Sequence, residues 1–170
     1  MRTKVWAHRG ASAYAPENTL EAFELACCSK IQPEFGTSVI PELIEVLELV
    51  KPFDLTVNIE LKTGVFRYKG IEKEALTGLL FSDGFINVAG YAKLIGADAL
   101  HPSLNHLRSK KLIKEARKKK LPIHVWTVND KNMMEYLAEQ EIEAIITNYP
   151  DIAKEIVNKK GRLHDTISSI

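Results

Sequence analysis

Only two cysteines occur in the 170 residues, and they are neighbours, Cys27 and Cys28. Adjacent side chains point apart and rarely bond each other, and nothing here has zinc-ligand spacing. A disulfide framework is excluded, and free thiols in a reducing compartment are expected. Charge of one sign is missing too: 23 Lys and Arg face 22 Asp and Glu, a net charge of +1. That balance leaves no electrostatic footprint for nucleic acid or an anionic membrane surface. No apolar run approaches the length that crosses a bilayer. Met1 to Lys4 leads straight into a first strand with no secretory apolar core. These absences predict a soluble, cytoplasmic chain, long enough to bury one sizeable core.

What is present is organised around the first ordered stretch, Lys4 to Gly10. Val5, Trp6 and Ala7 read as a short buried strand that ends in His8, Arg9 and Gly10. Asn18 then reads as a helix cap, with Glu21 three residues on to complete a capping box. Ionisable groups at the carboxyl end of a strand stand where α/β proteins bind ligands. His8 can move a proton near neutral pH, and Arg9 can grip an anionic oxygen in a fork.

Further along, apolar periodicity predicts helices at Leu20 to Cys28, Pro41 to Lys51, Ile86 to Ile95, Leu107 to Lys120, Asn132 to Glu139 and Pro150 to Asn158. Ser29 to Ile40 reads as a loop. Strands are predicted at Leu55 to Lys62, Gly78 to Phe81, Ala99 to His101, Leu121 to Val128 and Ala144 to Thr147, which makes six with the first. Leu55 to Lys62 alternates strictly, with Thr56, Asn58, Glu60 and Lys62 on one face. In a closed barrel that face would point into the lumen, with Glu60 and Lys62 near the mouth. Strands alternating with helices imply a parallel sheet. The chain reads as one domain over 1–158 and a frayed tail over 159–170. Lys118-Lys119-Lys120 and the lysines before it read as a solvated helix face, and His101, His106 and His124 as packed or ordinary histidines.

Five blocks, taken in order, resemble the glycerophosphodiester phosphodiesterase family. They are His8-Arg9-Gly10 with Pro16-Glu17-Asn18-Thr19; Asn58-Ile59-Glu60-Leu61-Lys62; Ala97 to Pro102; Val125 to Asn129; and Ile145 to Asp151. The resemblance implies a TIM-barrel-like parallel barrel with outer helices. It also implies metal-dependent hydrolysis of glycerophosphodiesters to glycerol 3-phosphate and an alcohol. His8 would be a catalytic imidazole, Arg9 and Lys62 would hold phosphate, and Glu60 would bind a divalent cation, calcium or magnesium. Glu17, Asn18 and Trp126 would belong to the site or pocket. A small-molecule substrate is implied as the partner, with no nucleic acid and no transmembrane segment.

Two strand-helix units of the family have no counterpart here. The joins would fall near Cys27 to Ile31 and near Glu74 to Gly78. The first missing unit carries the family's Glu-x-Asp pair and second histidine. Two other functions therefore stay open: a degenerate, non-catalytic barrel that binds phosphodiesters or serves as scaffold, and a lysophospholipid-directed phosphodiesterase of the same fold.

Overall fold

The structure, a computed structural model, describes residues 3–27, 38–53, 55–60, 76–108 and 110–167, with side chains to 159. Strand β1 (Lys4–Ala7) pairs in parallel with β5 (Ala144–Thr147), Val5 opposite Ile145. Strand β4 (His124–Val125) lies on the other side of β5. Strands β2 (Gly78–Phe81) and β3 (Ala99–Pro102) pair with each other. Parallel bridges at Leu100–Ile123 and Ser103–Trp126 join β3 to β4. The spatial order is therefore β2-β3-β4-β5-β1. Neighbours in sequence are neighbours in space, and the first strand lies beside the last. A doubly wound sheet puts its first strand inside, whereas a barrel closes the first onto the last.

Side-chain alternation along the strands agrees with a barrel wall. Val5, Leu79, Leu100, Val125 and Ile145 belong to one apolar cluster under helices α3 (Val88–Leu94), α4 (Lys110–Lys118), α5 (Lys131–Glu139) and α6 (Pro150–Ile167). Side chains one residue away along the strands point the opposite way. There Trp6, His101 and His124 meet, with ring centroids 4.4 Å apart for Trp6–His124 and 4.8 Å for His101–His124. Helices cover one face and a lumen lies on the other. This is the wall of a TIM-type parallel barrel with outer helices.

The remaining helices are α1 (Leu20–Cys27) and α2 (Leu43–Val50), which pack on each other. Local chemistry sets the element ends. The Asp130 carboxylate accepts from the Met133 amide at 2.9 Å and starts α5. Pro150 opens α6, a position where its missing N–H costs nothing. The lysines of α4 are exposed while Leu112, Ile113 and Ala116 are buried, so the basic run is a solvated face.

Several expectations are corrected. Residues 55–60 form no strand: Leu55, Val57 and Ile59 are 51%, 36% and 49% exposed. Alternation there lacks a partner strand among the described residues, so five strands are described and not six. Thr19, not Asn18, caps α1, its hydroxyl accepting from the Ala22 amide. Pro41 precedes the cap of α2, which is Glu42 in a capping box with Glu45. α6 continues past Asn158 to Ile167. β1 is half-buried, since only one of its edges is paired among the described residues. Cys28 to Ile31 of the first join, Lys62, and Glu74 and Ala75 of the second join lie outside the described residues.

Candidate active site

The site grows from the turn after β1. Gly10 has φ +82° and sits so close to α1 that an added Cβ would lie 2.5 Å from the Ala22 carbonyl carbon. Only glycine fits. The Ala11 amide bonds the Ala22 carbonyl at 2.8 Å, and the Asn18 amide bonds the Arg9 carbonyl at 3.0 Å. Arg9 and Asn18 both hold φ near +59°. Left-handed backbone at non-glycine residues is costly and gathers at functional sites.

This turn places His8 at the carboxyl end of β1. Its Nδ1 lies 2.9 Å from Oδ1 of Asn148, the residue directly after β5. An amide oxygen only accepts, so Nδ1 carries the hydrogen and Nε2 keeps its lone pair. Asn148 is fixed in turn: its amide N–H donates to Oδ1 of Asn129, at 3.0 Å, and the Thr147 hydroxyl donates to the same oxygen at 3.3 Å. Ser12 donates its hydroxyl to the His8 carbonyl at 2.8 Å. Three strand ends thus converge on one imidazole. Sequence reasoning quoted the blocks that contain Asn129 and Asn148 without choosing either for the site. The available signal was position, since both follow the carboxyl ends of strands.

Arg9 pairs with Glu17, Nη1 to Oε1 at 2.5 Å, with the side chains 40% and 56% exposed. An exposed pair of this kind is weak and exchanges readily for another anion. A cavity of about 860 Å³ runs along the open edge of β1. His8, Arg9, Asn18 and Glu60 all border it, together with α1, α2 and α6. Glu17 reaches this group through Arg9. Trp126 does not border the cavity; its indole N–H donates to the His101 carbonyl at 2.7 Å and ties β4 to β3.

Deeper in the lumen, Nδ1 of His124 and Nε2 of His101 lie 2.9 Å apart and share one proton. Burial, the neighbouring His101 and Lys4 push His124 down to about 4. Burial also lowers His101. Both are neutral structural rings near pH 7, as the packed reading expected. At the cavity edge Asp151 accepts from the Tyr14 hydroxyl, 3.1 Å to each oxygen. Burial, then this contact, raises the Tyr14 pKa.

The residues were also tested against the expected cation. Among the described residues, no three carboxylate, imidazole or thiolate groups stand together as a metal cage. Glu60 is an exposed carboxylate on a segment without strand structure. The described residues do not fit a tightly held divalent ion, which wants six or more oxygens.

Fold and site together define a parallel β/α-barrel protein with its polar groups at the carboxyl rim. The model of the glycerophosphoryl diester phosphodiesterase family matches residues 72–152. A glycerophosphodiester phosphodiesterase of Caldanaerobacter subterraneus subsp. tengcongensis is 24% identical over 244 residues, covering 95% of this chain and 100% of the relative. Those 244 residues exceed the 170 here, so the relative has stretches with no counterpart in this chain. An Oleispira antarctica phosphodiesterase, solved with its product sn-glycerol-3-phosphate, superposes with a TM-score of 0.79 at 18% identity, over 92% of this chain and 97% of that one. Glycerophosphodiester phosphodiesterase from Agrobacterium tumefaciens gives 0.62 at 18%, over 91% and 98%. Over residues 72–152 the chain is similar to the glycerophosphoryl diester phosphodiesterase family. No described helix is long and apolar enough to cross a membrane.

Proposed function

We propose that the protein hydrolyses glycerophosphodiesters to glycerol 3-phosphate and an alcohol. The observation that carries this is His8 held by Asn148 with Nε2 left as a base, beside Arg9 at the rim of one cavity. The substrate's 2-hydroxyl attacks phosphorus and gives its proton to Nε2. The phosphorus–oxygen bond to the alcohol breaks, and the departing oxygen takes a proton from water. Arg9, released from Glu17, pairs with the phosphoryl oxygens as their charge grows. Water then attacks phosphorus, the bond to the 2-oxygen breaks, and the protonated His8 Nε2 returns its proton to that oxygen, which leaves glycerol 3-phosphate and a neutral imidazole. Lys62 is proposed as a second phosphate contact and Glu60 as the contact for any calcium or magnesium ion, with no step assigned to that ion. Metal dependence has its own test. Chelation should slow turnover and calcium or magnesium should restore it, with Glu60→Gln requiring more; indifference to chelation would remove the cation from the proposal.

A second reading has a specific observation behind it: His8 is the one imidazole bordering the cavity among the described residues, and no metal cage accompanies it. A non-catalytic phosphodiester-binding barrel needs neither. Release of glycerol 3-phosphate from glycerophosphocholine by the purified protein, and its loss in His8→Ala, decides between the two. Tight binding without release would establish the binding module.

A further inference from the structure

We propose that helix α4 of one copy docks on helix α2 of a second copy, so that the chain self-associates head to tail. The inference is independent of the hydrolase reading. α2 has two sides. Val46 and Val50 line the cavity. Ile44 and Leu47 do not border it, and these large apolar side chains stand 56% and 38% exposed. Beside them Glu45 and Glu48 are exposed, and α2 contains no cation. The outer side of α2 is therefore an apolar seam edged by carboxylates.

α4 has the opposite character. Lys110, Lys111, Lys114 and Lys118 are all exposed, and on the helix they fall within an arc of about 100°. Lys110–Lys114 and Lys114–Lys118 are like charges four residues apart, and two lysines sit in the first turn. Both arrangements oppose the helix's own stability. Its packing does not ask for them, since the buried face is Leu112, Ile113 and Ala116. A local rule broken without gain inside the fold points to a partner outside it. Lysine suits the α2 surface: its stem lies on apolar side chains while its ammonium reaches a carboxylate. Nucleic acid fits less well, because α4 has no aromatic residue on which a base could stack. Two copies of α2 would set glutamates against glutamates, and two of α4 lysines against lysines. Pairing of the unlike helices is the complementary choice. Each copy carries one of each surface, so the contact is heterologous and can extend past a dimer.

The test is sedimentation velocity of the intact protein over a range of concentrations. One helix on another is a small interface, so self-association is expected at about 10–100 µM. It should weaken about ten-fold or more between about 50 and about 500 mM NaCl, as the charges are screened. A variant with Lys110→Glu and Lys114→Glu, and another with Ile44→Lys and Glu48→Lys, should each be monomeric alone. Mixed, the two should associate again, because the first keeps its acidic α2 and the second its basic α4. All four positions are exposed, and Lys114→Glu gives Lys118 a partner four residues away, so the folds should survive. Far-ultraviolet circular dichroism checks this. A wild-type chain that stays monomeric, association that neither variant weakens, or variants that remain apart when mixed overturns the proposal. So does a wild-type chain that sediments as a monomer alone yet binds RNA or anionic vesicles through the α4 lysines, which would assign the basic face to a polyanion.

Discussion

Asn148 gives His8 its direction, and that makes it a positioning residue with a measurable signature. His8→Ala should lower kcat by about 10²–10⁴, the usual worth of a positioned acid or base. Asn148→Ala keeps the imidazole but frees both its tautomer and its orientation. We expect about a ten-fold loss in kcat with KM little changed, read by steady-state kinetics on glycerophosphocholine; a loss confined to KM would contradict the positioning role. Gly10→Ala should fail differently. Its Cβ would meet the Ala22 backbone and its φ is unfavourable for alanine, so about 2 kcal/mol or more of stability should go, seen as a lower urea midpoint. His8, Arg9 and Gly10 were legible in the sequence because a titratable group, a guanidinium and a glycine stand together at a strand's end. Asn148 was not. An amide has no charge to draw attention, and its contact with His8 spans 140 residues of sequence.

At the scale of elements, periodicity located most helices and strands within a residue or two, because burial against the helix layer enforces it. It failed at Leu55 to Glu60. Alternation says which side chains would share a face; it does not supply a neighbouring strand to take the backbone hydrogen bonds. Caps were legible where one side chain had one task. Asp130 does, and Asp130→Ala should cost about 1 kcal/mol in chemical unfolding. Asn18 is instead in left-handed backbone with its amide bonded to Arg9, so the cap moves to Thr19. Thr19→Ala should therefore destabilise α1 by a similar amount, about 1 kcal/mol, and Asn18→Ala should not do so through capping.

For the whole molecule, the lumen carries a pH dependence. His101 and His124 titrate below the ordinary histidine range when folded, because burial disfavours their charged forms. The unfolded chain binds those protons more readily, so stability is full above about pH 6.5 and falls as the pH drops toward 4. Lys4 adds to the penalty on charging His124. Melting temperature should fall through that window, and His124→Gln should flatten the slope; an unchanged slope would mean that other groups set the acid limit. The parallel sheet was legible from the alternation of element types and the barrel was implied by the family resemblance, yet the pairing of β1 with β5 is a fact of space that only the structure gives. That pairing has a consequence for the chain during its synthesis. β1 leaves the ribosome before β5, its observed partner, which follows only after some 140 further residues. At about 5–20 residues per second this is a wait of roughly 7–30 s. Through that interval an edge of Trp6 and Val5 stands unpaired, and strand edges are what other chains join. Nascent chains halted before residue 144 should therefore cling to holdase chaperones, and release should come only once Thr147 is free to lie beside Ala7.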